Sequence, residues 1–100
     1  MIYTLKSAGP KIEVDMKGRL TFADYSSFRE ITQVVTDNNS RCCLFDLTEL
    51  EFIDSAGLGM LLIARDKLQS VNGNVILKGA QGQVKKMLDL GRFDSLFNIE

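Results

Sequence analysis

One hundred residues, 45% hydrophobic and 25% charged, suffice for one compact domain with one core, expected to span residues 1–100. A net charge of −1 gives no electrostatic reason to expect nucleic acid or an anionic membrane as partner, and no apolar run approaches the roughly 20 residues of a membrane span. The absence of histidine excludes Ser-His-Asp and Cys-His nucleophilic sites and removes the commonest metal ligand, so neither a metal nor a cofactor is expected. The first six residues lack the charged-then-apolar plan of a signal peptide, and the expected compartment is the cytoplasm.

In chain order, residues 2–6 read as an edge strand. Residues 11–17 alternate polar and apolar with period two, a strand with Ile12, Val14 and Met16 inward. Ala8-Gly9-Pro10 between them supplies turn residues for a hairpin. Gly18-Arg19-Leu20-Thr21 then leads into a helix, and Thr21 with Asp24 three residues later approximates a capping box. Phe22, Tyr25, Phe28, Ile31/Thr32 and Val35 recur at helical spacing, and this aromatic stripe is expected in the core. Thr36-Asp37-Asn38-Asn39-Ser40 is expected to end the helix.

Residues 42–47 are apolar on both faces, as a central strand covered on each side would be. Cys42 and Cys43 are adjacent, so they point to opposite faces and cannot bridge each other; buried structural thiols are expected. Residues 48–51 read as a polar connection, after which Phe52-Ile53 returns to the core. A helix follows from Ser55 to about Val71, apolar nearly all round until Arg65. Asn72-Gly73-Asn74 is a turn and Val75-Ile76-Leu77 a second doubly buried strand. A third helix carries Val84, Met87, Leu88 and Leu90, with Gly91 as a left-handed cap, and a last short strand follows Asp94-Ser95. The alternation predicts an α/β domain: a mixed, mostly parallel sheet of four to five strands, the first two antiparallel, with helices packed on it.

Function in such sheets collects where strands end and helices begin. The junction that stands out is Phe52-Ile53-Asp54-Ser55-Ala56-Gly57-Leu58-Gly59, where an acid and a hydroxyl precede two glycines and an apolar helix. Asp and Ser accept hydrogen bonds from the free N–H groups of a first turn, so helix capping is one reading. The other is a regulatory phosphate on Ser55, whose charge the amides and dipole of the helix would stabilise. Gly57 and Gly59 would let the helix lie close to the sheet and leave the surface around Ser55 uncluttered. Neither Gly57-Leu58-Gly59 nor Gly79-Ala80-Gln81-Gly82 completes a phosphate loop.

These residues closely resemble the signature of the STAS domain family, the bacterial anti-sigma factor antagonists. The resemblance extends to Gly18-Arg19-Leu20, to Leu44-Phe45-Asp46-Leu47 before the signature, and to Lys86-Met87-Leu88 and Phe93, Leu96 and Phe97 near the end. It implies a single non-enzymatic STAS domain acting as a partner switch. Ser55 would be phosphorylated by a serine kinase that doubles as an anti-sigma factor, and a PP2C-type phosphatase would remove the phosphate. The unphosphorylated domain would bind its partner through Asp54, Ser55, Ala56, Gly57, Leu58, Gly59 and Thr21. Two positions depart from the family's pattern: Ala56 where a second serine is frequent, and Thr21 where many members carry aspartate. The sequence ends at Glu100, where many relatives continue into another helix. A monomer is expected, and the alternative role is a constitutive accessory subunit of a transport or scaffold complex.

Overall fold

The structure is a computed structural model that describes residues 1–37 and 41–100. Five strands form one sheet in sequential order: β1 (Ile2–Ala8), β2 (Lys11–Leu20), β3 (Cys42–Ile53), β4 (Asn74–Lys78) and β5 (Asn98–Ile99). β1 and β2 are an antiparallel hairpin, and every later neighbour pair is parallel, as the sequence predicts. Gly9, in the connecting turn, takes the left-handed φ of +63° that only glycine adopts cheaply. Among the described residues three α-helices complete the fold: α1 (Tyr25–Asp37), α2 (Ser55–Gln69) and α3 (Gly82–Leu90).

One core fills the space between helices and sheet. Ile12, Val14 and Met16 of β2 are buried as their alternation requires, beside Cys43, Phe45 and Leu47 of β3. Phe28 of α1 stacks on Phe45, ring centroids 5.5 Å apart, which seats that helix on the middle of the sheet. Leu44 is also buried, on the opposite face by alternation, as a doubly covered strand demands. Cys43 is buried and its thiol is pushed up to about 12 by desolvation, with Cys42 adding to the effect, so it stays protonated and inert. Cys42 is only half-buried, a departure from the expectation that both thiols are inside, and both are free.

The polar connection expected at residues 48–51 does not exist: β3 runs unbroken from Cys42 to Ile53. Two register shifts against β2 explain the misreading. Asp15 pairs Asp46 but Lys17 pairs Glu49, and Gly18 pairs Leu50 but Arg19 pairs Phe52. Each shift inserts an extra residue into β3, so its buried positions become Leu47, Leu50 and Ile53, three apart instead of two. β2 likewise continues through residues 18–20 as strand, where a lead-in to the helix was expected, and β1 reaches Ala8, beyond residue 6.

β4 pairs only Cys42–Asp46, so residues 47–53 of β3 have β2 on one side and no strand on the other. The start of α3 occupies that open edge. Gln81 donates to the Thr48 carbonyl at 2.8 Å, while the Gln83 amide accepts from Ile53 N–H and donates to Ile53 C=O, both at 2.9 Å. Two glutamines thus supply the hydrogen bonds a neighbouring strand would have made.

Several helix-face expectations shift. The turn expected over residues 36–40 has Asn38, Asn39 and Ser40 outside the described residues. Helix α2 ends at Gln69, two residues before Val71. Ile76 is half-buried, where full burial was expected, and Leu90 is 74% exposed at the end of α3. Gly91 is not left-handed, its φ being −84°; that conformation falls to Arg92, at φ +57°. Phe22 and Tyr25 are exposed as well, because Phe22–Asp24 form a tight 3₁₀ turn ahead of α1. Its three-residue period sets both rings off the buried stripe of Phe28, Ile31, Thr32 and Val35.

Candidate functional site

The site is built where β2 and β3 end together. Leu20 and Ile53 are the last paired residues, and Asp54 N–H extends the ladder by one bond to the Leu20 carbonyl at 3.2 Å. Asp54 is extended (φ −101°, ψ −179°) and is the N-cap of α2. Its carbonyl accepts Leu58 N–H at 3.0 Å and its Oδ1 accepts Gly57 N–H at 2.7 Å. The second oxygen, Oδ2, accepts Phe22 N–H at 3.3 Å. One carboxylate therefore ties the first turn of α2 to the segment that opens toward α1.

Thr21, at the start of that segment, faces the same corner. The capping box expected there forms, with Asp24 Oδ2 accepting Thr21 N–H at 2.9 Å, although it caps the 3₁₀ turn and not α1 itself. Asp24 Oδ1 meets the Met1 ammonium at 2.9 Å. Burial opposes ionisation of Asp24, but the Thr21 hydrogen bonds and the ammonium outweigh it and hold its carboxyl below the ordinary aspartate range.

Gly57 is buried, and a Cβ there would stand 2.7 Å from both Ile53 Cγ1 and the Leu20 carbonyl oxygen. Glycine lets the first turn of α2 press directly on the strand ends. Gly59 serves a different end: a Cβ there would meet nothing within 4 Å, so its lack of a side chain only thins the surface. Ala56 and Leu58 are half-buried against the edge of the core.

Ser55 is the first residue of α2 and is exposed. Its hydroxyl makes no hydrogen bond among the described residues. The capping duty that serine could have performed is carried by Asp54, so Ser55 presents an unengaged nucleophilic oxygen at a rigid helix start. Amides in the first turn have no intrahelical acceptors, and those of Ser55 and Ala56 remain after Asp54 has taken Gly57 and Leu58. An anion carried on Ser55 would meet these donors and the positive end of the helix dipole.

Of the residues singled out from sequence, Asp54, Ser55, Gly59 and Thr21 come together at one corner of the surface. Gly57 lies beneath it, shaping the corner from inside. Two contributors escaped sequence reasoning. Gln83, 30 residues on, holds the Ile53 peptide next to Asp54, and no local pattern marks it. Phe22 stands 75% exposed beside Asp54, and its signal was its place inside the capping box, ahead of the helical register. Among the described residues no helix is long and apolar enough to cross a membrane, and no group of three or more metal-ligating side chains gathers.

With this geometry, comparison with known proteins is direct: the family model of the STAS domain matches residues 4–100. The chain belongs to the STAS domain family. A STAS-domain containing protein of Pseudomonas aeruginosa (strain UCBPP-PA14) is 32% identical over 99 residues, covering 98% of this chain and 97% of that one. Among solved structures, the anti-sigma factor antagonist SpoIIAA in its unphosphorylated form superposes with a TM-score of 0.80 at 19% identity, over 99% of this chain and 87% of that one. The phosphorylated form of SpoIIAA, a Bacillus cell fate determinant, gives 0.77 at 17% identity, over 99% and 91%. A sulfate transporter family protein of Wolinella succinogenes gives 0.78 at 13% identity, over 92% and 77%. At these identities the structural likenesses establish the SpoIIAA-like STAS fold, which is the fold expected from the sequence.

Proposed function

We propose that this STAS domain is a partner-switching regulator of the anti-sigma factor antagonist type, with Ser55 as its reversible phosphate acceptor. The observation that carries the reading is the division of labour at the start of α2. Asp54 caps the helix and Gly57 seats it, while the exposed Ser55 hydroxyl has no structural role. A serine kinase would transfer the γ-phosphoryl group of ATP to Ser55 Oγ, the hydroxyl proton leaving to a base on the kinase and ADP departing. A PP2C-type phosphatase would return the hydroxyl by hydrolysis, with water as the nucleophile.

Unphosphorylated, the corner formed by Asp54, Ser55, Gly59 and Thr21, together with the half-buried Ala56 and Leu58, would dock on a kinase or anti-sigma partner. Phosphate adds about −1.5 to −2 charge beside Asp54, so a partner seated there meets repulsion and a desolvation cost. The free first-turn amides stabilise that charge from within, and the domain stays folded in both states. The regulator would act in the cytoplasm, as a monomer, without nucleic acid, membrane, metal or cofactor.

The test compares wild type, Ser55→Ala and Ser55→Asp as baits, with captured partners identified by mass spectrometry. Wild type and Ser55→Ala should recover the same serine kinase or anti-sigma factor, and Ser55→Asp should lose it. The recovered kinase with ATP should phosphorylate wild type at Ser55 and leave Ser55→Ala unmodified. Equal recovery of a transport ATPase by all three baits would sink the switch. It would favour the accessory-subunit role, with which the likeness to a sulfate transporter family protein is compatible.

A further inference from the structure

Away from Ser55, a cleft of about 90 Å³ lies between α1 and α2. Buried Phe28 and Met60 line it, together with Tyr25 and Ile63, which remain 55% and 45% exposed. Thr32 and Arg29 on α1 and Lys67 on α2 complete the lining, and no carboxylate takes part. Neither cation has an acidic partner within 4 Å among the described residues; Asp66, beside Lys67, is paired with Arg65.

The volume is below the roughly 150 Å³ of an apolar cavity that accepts benzene, so the cleft takes one side chain and not an extended ligand. An apolar slot between two unneutralised cations complements an apolar side chain flanked by carboxylates. Burial of the anchor supplies affinity, and the exposed rim charges select the sign of the partner and hasten encounter. Tyr and Arg are among the residue types enriched where interface energy concentrates once a partner covers them. Met60 and Ile63 lie five and eight residues along α2 from Ser55, about 8 and 12 Å of helix rise, so the cleft is a region separate from the phosphate acceptor.

We propose that the α1–α2 cleft is a docking point for an acidic segment of a protein partner. That segment inserts one leucine-sized side chain between Tyr25 and Ile63, with its flanking carboxylates facing Arg29 and Lys67. The contact needs no phosphate and stands whether or not Ser55 is a phosphate acceptor.

The test is an amide chemical-shift titration of the full chain with the capped peptide Glu-Glu-Leu-Glu-Glu. Saturable shifts confined to Tyr25, Arg29, Ile63, Lys67 and their neighbours are expected, weakening as salt is raised. Replacing the peptide's leucine by alanine, or its glutamates by lysines, should weaken binding at least ~10-fold. The Arg29→Glu, Lys67→Glu double variant should lose the acidic peptide and gain the lysine peptide. If that variant does not fold, Arg29→Ala with Lys67→Ala serves instead and should lose the acidic peptide. No shifts at the cleft, equal binding of acidic and basic peptides, or shifts spread over unrelated apolar surface would each overturn the proposal. So would hexanoate binding there as tightly as the peptide, since the cleft would then be a small-amphiphile site. The titration involves neither kinase nor phosphate, so its failure leaves the reading of Ser55 untouched.

Discussion

Helices α2 and α3 both begin where a strand has just ended, and they begin in opposite ways. Helix α2 is capped from within: Asp54 folds back on Gly57, and the turn is pressed so close to Leu20 and Ile53 that no methyl group fits. Helix α3 has no side-chain cap at Gln81, and Gly82 adopts a φ of +60°. Its polar side chains reach outward, Gln81 and Gln83 bonding to the open edge of β3. At α2 the structural duties rest on Asp54 and Gly57, which leaves the Ser55 hydroxyl without a hydrogen bond among the described residues. At α3 the glutamines serve a different element, and the element they steady is the strand that delivers Ser55. The proposed phosphate acceptor is thus a residue that carries no structural load, on a corner braced by residues far away in sequence.

Substitutions can break this contrast, and the largest effect belongs to Gly57. Gly57→Val should destabilise the domain by about 3 kcal/mol in urea unfolding, because its Cβ collides with the Leu20 carbonyl, which cannot move without shifting β2. Gln83→Met keeps the side-chain length but strips both Ile53 hydrogen bonds. A loss of about 2 kcal/mol is expected, with faster hydrogen exchange at the Ile53 amide. A loss as small as that of an ordinary surface residue would show that the α3 start is no brace.

Asp54→Ala removes the acceptor of both Gly57 N–H and Phe22 N–H and should cost about 1–2 kcal/mol by the same measurement. A pH series sharpens the neighbouring turn. The Asp24 carboxyl is held below its unfolded value, so its stabilisation is present above about pH 4 and is lost as pH falls through the lower folded value. Wild type should therefore exceed Asp24→Asn in unfolding free energy at pH 7, with the gap closing below about pH 4. Ser55→Ala should be the smallest of all, within about 0.5 kcal/mol of wild type, since the hydroxyl has no hydrogen-bond partner among the described residues. A larger loss would mean that Ser55 shares the capping work, and the contrast with Asp54 would fail.

Much of this was legible in the chain because local chemistry is written locally. The period-two pattern of Ile12, Val14 and Met16, the hairpin glycine and the Asp54 cap depend on residues that lie close in sequence. So did the corner itself, since an acid, a hydroxyl and two glycines before an apolar helix mark a capped start. The misreadings share a physical cause: a partner distant in sequence had changed the local period. Two register shifts against β2 turned residues 48–51 from an apparent connection into strand, and a 3₁₀ turn threw Phe22 and Tyr25 off the buried face of α1.

By itself the sequence determined the class of the fold and the family, and it singled out Ser55 for the proposed phosphate, because motif, periodicity and composition need only near neighbours. The tertiary structure alone decided which residues around Ser55 are load-bearers and which are surface. Gly57 is held down by Leu20, 37 positions earlier, and Ile53 is held by Gln83, 30 positions later. Steric exclusion and hydrogen bonding act through space, and only the folded chain brings those partners within reach.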